Sequence, residues 1–123
     1  MNFLAVALGG ALGAIARYSV YLVIPAVDTR QFPVATLLVN VLGSFLLGVV
    51  YVLMVEKSAI SQELRPLVTI GFLSAFTTFS TFALETVMLI QHGEWLKTAL
   101  YVVFSVVFCI FATLIAVAFT RMI

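Results

Sequence analysis

The chain has 123 residues, 64% of them hydrophobic and 9% charged, with a formal net charge of +1. Soluble domains carry about 25% charged residues, so this composition excludes a water-soluble globular protein, and the near-zero charge leaves no footprint for nucleic acid. The length allows one domain, and a single cysteine, Cys109, excludes an internal disulfide.

A helix needs about 20 mostly apolar residues to cross the hydrocarbon core. Four such runs follow one another, at about residues 3–24, 33–55, 66–91 and 95–120, forming one four-span domain over residues 1–123. In the first run, Ala14-Ile15-Ala16 has the small-X-small form of a cleavage site. No Lys or Arg precedes the run and glycines interrupt it, so a retained span is expected rather than a leader. Gly9 and Gly13 form a GxxxG pair, with Ala5 and Arg17 continuing the spacing. Small residues let helix backbones approach closely in lipid, so this face packs on protein and carries Arg17 with it. An intramembrane arginine needs a partner or a function.

Pro25 and Asp28-Thr29-Arg30-Gln31 make the first turn, and Pro33 opens the second run, since proline suits a first helical turn. Thr36, Asn40, Ser44 and Gly48 recur every four residues along it, which keeps them on roughly one side. Hydroxyls there read as interhelical glue. Asn40 must meet a partner or water, because a bare amide in an apolar span costs several kcal/mol.

After the polar loop of residues 56–65, Pro66 opens the third run. It holds Thr69, Gly71, Ser74, Thr77, Thr78, Ser80, Thr81 and Glu85. Adjacent hydroxyls bond back to carbonyls one turn earlier and loosen the helical ladder, so this helix is expected to break. Carbonyls freed at such a break can hold a cation. Phe72, Phe76, Phe79 and Phe82 are spaced to share a face, and aromatic ring edges carry partial positive charge. His92-Gly93-Glu94 turns the chain into the fourth run, where Tyr101, Ser105, Cys109 and Thr113 again fall four apart. Tyr18, Tyr21 and Trp95 lie near run ends, the interfacial places that amphipathic aromatics favour.

With four spans, Lys57, Arg65 and Arg121 share one side, while Arg30 and Lys97, with Arg17 if it reaches, share the other. Orientation follows Lys/Arg asymmetry, and here that asymmetry is almost nil. Chance in a small protein accounts for this as well as insertion in both orientations does. No Ser-His-acid or paired-carboxylate set is present, so an enzyme is not expected. Hydroxyls, one amide and phenyl edges suit a small hydrated anion, whereas a cation path calls for acidic rings. From the residues alone, a passive anion pore, a small proton-coupled transporter relaying through Glu85, and an assembly subunit all stay open.

Three motifs, GGALGAIARY (9–18), NVLGSFLLG (40–48) and GFLSAFTTFSTFALE (71–85), together resemble the Fluc (CrcB) fluoride channels. The motifs fall in the family's order and spacing and cover essentially the whole chain. The small multidrug exporters, also four-span, carry a first-span glutamate that this chain lacks. The resemblance implies an all-α integral membrane protein working as an antiparallel dual-topology homodimer in the bacterial cytoplasmic membrane. It implies two pores passing fluoride passively outward, relieving fluoride toxicity, with no protein partner but a second copy and the lipid bilayer. By position it implies ring-edge contacts from Phe79 and Phe82, an amide donor from Asn40, and a hydroxyl track of Ser80 and Thr81. It further implies a lining of Tyr101 and Ser105, Glu85 toward a vestibule, and Arg17 as the family's first-span arginine. The carbonyls of Ser74 and Thr77 match the ligands of a structural sodium ion on the dimer axis. This chain has Ser74-Ala75 where paired glycines are frequent, Cys109 where a serine is common, and Ala83 for a frequent serine.

Overall fold

Residues 2–123 are described by a computed structural model, in which four helical spans, Asn2–Val23, Val34–Glu56, Gln62–Gln91 and Trp95–Met122, are long and apolar enough to cross a membrane. No strand occurs among the described residues. Lipid offers no hydrogen bonds, so each backbone amide must be bonded within the protein, and a helix does this residue by residue. Phe3, Leu12, Leu22, Phe111 and Phe119 each stay more than half exposed on the outside of the chain.

Helix α1 (Asn2–Val23) precedes α2 (Val34–Tyr51), which widens into a π-helical turn, Val52–Glu56. The third span is in pieces. A π-helical run, Pro66–Leu73, passes into the short α-turn Ser74–Phe76, together α3, and the helix resumes as α4 (Phe79–Gln91). Helix α5 (Trp95–Met122) closes the chain. The expected break therefore falls at Thr77 and Thr78, whose backbones are extended (ψ 159° and 118°). Thr77 Oγ1 bonds back to the Leu73 carbonyl at 3.0 Å, while Thr78 Oγ1 accepts from the Thr81 amide at 3.2 Å and caps the new helix. A hydroxyl that serves as an N-cap competes with helix continuation at its own position.

That break corrects the phenylalanine stripe. Phe72 stacks on Phe76 at 5.9 Å and Phe79 tilts against Phe82 at 5.4 Å, as two separate pairs. The extended Thr77-Thr78 step turns the chain between them, so Phe76 is buried while Phe79 is 79% exposed.

Helix α1 lies on α3 with backbone nearly touching backbone. A Cβ on Gly9 would run into the Leu67 carbonyl oxygen, and one on Gly13 into that of Phe72. From the other side, a Cβ on Gly71 would stand 2.9 Å from the Val6 oxygen and from Gly9 Cα. Helix α2 lies on α5 in a similar way: Gly48 faces Ala116 and Thr113, and Thr113 Oγ1 donates to the Ser44 carbonyl at 3.1 Å. At the ends, Arg121 grips Glu56 through two nitrogens (2.6 and 2.9 Å), and Arg65 donates to the Met54 carbonyl at 2.7 Å. Gly93 takes φ +73° to reverse the chain after α4, the left-handed conformation that glycine adopts without strain.

Gly9→Ala forces α1 and α3 apart, and overpacking of this kind costs about 1–3 kcal/mol. Its thermal inactivation midpoint in mild detergent is expected to fall clearly. Gly10→Ala, where an added Cβ meets nothing within 4 Å, is expected to leave the midpoint nearly unchanged.

Candidate functional site

Interrupting a helix inside a membrane strands backbone groups that lipid cannot satisfy. Asn40, at the middle of α2, answers them directly. Its Nδ2 donates to the Thr78 carbonyl at 2.9 Å, and its Oδ1 accepts from the Thr78 amide at 2.8 Å. This pair of bonds fixes which way the amide points, and it leaves one of the two Nδ2 protons free. Room for the clasp comes from Gly43, where a Cβ would strike Thr77 Cγ2. Arg17 reaches the same break from α1, its Nη1 donating to the Thr77 carbonyl at 3.3 Å. The glycine face of α1 is what brings the guanidinium so close.

Because the Thr78 amide turns to Asn40, it no longer bonds the Ser74 carbonyl one turn back. Among the described residues, no three His, Cys, Asp or Glu stand close enough to hold a metal ion.

Beside the break is a cavity of about 400 Å³ between α2, α3, α4 and α5, bordered by Asn40, Thr77, Phe79, Phe82, Ser105 and Cys109 among others. Ser105 is 8% exposed, and its Oγ, sealed from solvent, has no hydrogen-bond partner. A buried hydroxyl left unpaired costs about 1–3 kcal/mol, and Ser105 Oγ shares this condition with Arg65 Nε at the start of α3. Phe79 stands at the cavity's open side, far more exposed than its neighbour Phe82.

A second polar group lies toward the α4–α5 side. Glu85 accepts from Thr36 Oγ1 at 2.9 Å and from the Tyr101 hydroxyl at 2.7 Å. Thr36 spends its proton on Glu85, so the Tyr21 hydroxyl, 3.0 Å from Thr36 Oγ1, donates to it. The chain of donors therefore runs Tyr21 to Thr36 to Glu85, with Tyr101 closing on the other carboxylate oxygen. Tyr101 is fully buried, and its ring packs on Phe82 at 5.0 Å and edge-on to Phe32 at 5.5 Å.

Of the residues singled out from sequence, Asn40, Ser74, Thr77, Phe79, Phe82 and Ser105 come together at the cavity. Glu85, Tyr101, Ser80 and Thr81 are not in its wall. Ser80 is exposed on the outer side of α4, and Thr81 accepts from Thr78 Oγ1 at 2.9 Å. Gly9, Gly13 and Arg17 lie behind the break, on the α1 side. Thr36 reads from its spacing as interhelical glue, and neither its bond to Glu85 nor the part of Gly43 beside Asn40 is visible in that pattern. A glycine three residues after the lone intramembrane amide was the available signal for the latter. Cys109 borders the cavity one turn from Ser105.

A four-span subunit with a broken third helix beside a largely apolar cavity, bordered by one amide and a few hydroxyls, has the build of a small membrane channel. The chain belongs to the CrcB family: residues 4–117 match the family model described as CrcB-like protein, Camphor Resistance (CrcB). It is 55% identical over 120 residues to a Fluoride-specific ion channel FluC of Saccharophagus degradans, covering 97% of this chain and 89% of that one. Proteins of the same name from Shewanella sp. (strain ANA-3) and Shewanella oneidensis are 53% and 52% identical over 110 residues, covering 89% of this chain and 88% of each.

Asn40→Leu strips both bonds from the buried Thr78 backbone, at about 1–3 kcal/mol for each stranded group. A large drop in detergent stability is expected. Ser44→Ala, one turn along, is expected to change it little, because the Ser44 carbonyl carries the contact to α5 and not its hydroxyl.

Proposed function

We propose that this chain is the subunit of a passive, fluoride-selective channel of the bacterial cytoplasmic membrane, letting fluoride leave the cell down its gradient. The observation that carries the reading is the unpartnered Ser105 Oγ in a cavity edged by Phe79 and Phe82, in a chain whose relatives bear the name of fluoride channels. Fluoride is small and tightly hydrated, so a path must replace its water with donors at close range. The Ser105 hydroxyl and the free Asn40 amide proton are such donors, and phenyl edges add positive potential without offering a cation a carboxylate. Ser80 and Thr81 continue the hydroxyl supply beyond the cavity. Chloride is larger and accepts hydrogen bonds more weakly, so it gains less from the same groups.

The functional unit is an antiparallel homodimer, inserted in both orientations, with two pores. Phe79 is 79% exposed at an open cavity, as expected of a ring completed by a second copy. The six cations divide almost evenly between the two sides, so neither orientation is favoured. The carbonyls of Ser74 and Thr77 would hold a structural sodium ion, with the second copy contributing the same pair. Hard carbonyl oxygens suit such an ion. The Ser74 carbonyl has lost the Thr78 amide, and the single long bond from Arg17 leaves the Thr77 carbonyl a free lone pair. When bound, the ion supplies positive charge at the break. In the chain itself, Arg17 donates to the Thr77 carbonyl and Asn40 holds the Thr78 amide of the same peptide group, while Tyr101 and Thr36 hold Glu85 in place.

Proteoliposomes loaded with fluoride are expected to release it through the native chain and to retain chloride; equal release of the two anions rejects the selectivity. Phe79→Ile and Phe82→Ile are expected to slow fluoride at least tenfold at equal reconstitution. Glu85→Gln is expected to conduct at an altered rate, whereas a proton-coupled transporter relaying through Glu85 would lose all flux. Labelling of a cysteine placed at the C-terminus in intact cells is expected to find it on both sides; one side only rejects dual topology.

A further inference from the structure

The second span runs Val34–Glu56, and from its middle onward Phe45, Val49, Leu53 and then Lys57 recur every four residues. That spacing keeps them on one side of the helix. With Phe119 and Ile123 near the end of α5 they line a groove of about 420 Å³, and none of them borders the cavity beside Asn40. Thr120, also in the wall, spends its hydroxyl on the Ala116 carbonyl at 2.7 Å. Lys57 is therefore the one wall side chain with a polar group to offer. It is exposed, and among the described residues its Nζ has no carboxylate oxygen within 4 Å. The adjacent carboxylate, Glu56, is taken by Arg121 through Nε at 2.9 Å and Nη2 at 2.6 Å.

At 1.5 Å per residue, the stretch from Phe45 to Lys57 covers about 18 Å, close to one leaflet of a hydrocarbon core about 30 Å thick. The groove therefore starts near the bilayer midplane, and its cation ends at headgroup level, where lysine side chains snorkel. An apolar wall of that length fits an acyl chain, and the free ammonium at its end fits an anionic headgroup. We infer that this groove binds one anionic phospholipid per subunit, with an acyl chain along Phe45, Val49, Leu53 and Phe119 and the phosphate on Lys57 Nζ. A zwitterionic lipid can lie along the same wall, but its own cationic group competes with Lys57 for the phosphate, so the anionic lipid is preferred. The site is separate from the proposed anion path, and it stands whichever ion that path carries.

The test uses the full chain in mild detergent, with dioleoyl phosphatidylglycerol or dioleoyl phosphatidylcholine added at equal concentration and bound lipid counted by native mass spectrometry. The expected result is one phosphatidylglycerol per subunit, held at least tenfold more tightly than phosphatidylcholine and not displaced by inorganic phosphate. Lys57→Gln is expected to weaken phosphatidylglycerol at least fivefold and leave phosphatidylcholine unmoved, while Lys57→Arg keeps the native preference. Val49→Trp, which fills the groove, is expected to lower both lipids. Lys57 is exposed and in no ion pair, so Lys57→Gln is expected to fold; should it not, the preference of the native chain between the two lipids decides alone. Equal affinity of the native chain for both lipids overturns the proposal, as does undiminished phosphatidylglycerol on Lys57→Gln. Displacement by inorganic phosphate overturns it in favour of a simple anion site. Loss of a native dimer in Val49→Trp overturns it in favour of a contact between copies.

Discussion

Lipid cannot accept or donate a hydrogen bond, and the break at Thr77 and Thr78 exists only because the protein answers the backbone groups it exposes. Asn40 takes both the amide and the carbonyl of Thr78, Thr78 caps the resumed helix with its own hydroxyl, and Arg17 donates to the Thr77 carbonyl. Each comes from a different place in the chain.

Close backbone approach is the condition for that answer. Arg17 reaches the break because Gly9, Gly13 and Gly71 let α1 sit against α3 with no side chain between. Gly43 has the same part beside Asn40, where only a missing Cβ leaves space for Thr77. The π-helical stretch Pro66–Leu73 belongs to the same accommodation, since a wider turn displaces the helix face by part of a residue.

Polar groups in the membrane fall into those spent on the fold and those left over. Thr113, Thr78, Thr36 and Tyr21 are spent, each donating to a protein acceptor. Glu85 accepts at both oxygens from Thr36 and Tyr101, which makes it the accepting end of a hydrogen-bond chain. Ser105 Oγ, one proton of the Asn40 amide and the Cys109 thiol are among those left over, and these three border one cavity. In a medium where unpaired donors are costly, that concentration is what the proposed anion path rests on.

The sequence by itself determined the class and the architecture. An apolar chain with four runs of spanning length has only helices open to it, and clustered hydroxyls in the third run located a weak point to within a few residues. GxxxG spacing predicted the close face, and the intramembrane Asn40 and Arg17 declared themselves by their cost. Only the tertiary structure decided which hydroxyls are free. Thr36, Ser105 and Thr113 occur in similar four-residue stripes, and periodicity assigns them alike; the difference lies in whether an acceptor stands opposite, which depends on a neighbouring helix. The phenylalanine stripe failed for the same reason, because its spacing assumes a continuous helix and two extended residues separate its halves. Local pattern reports what a residue prefers, while the geometry of its partners decides what it has left to give.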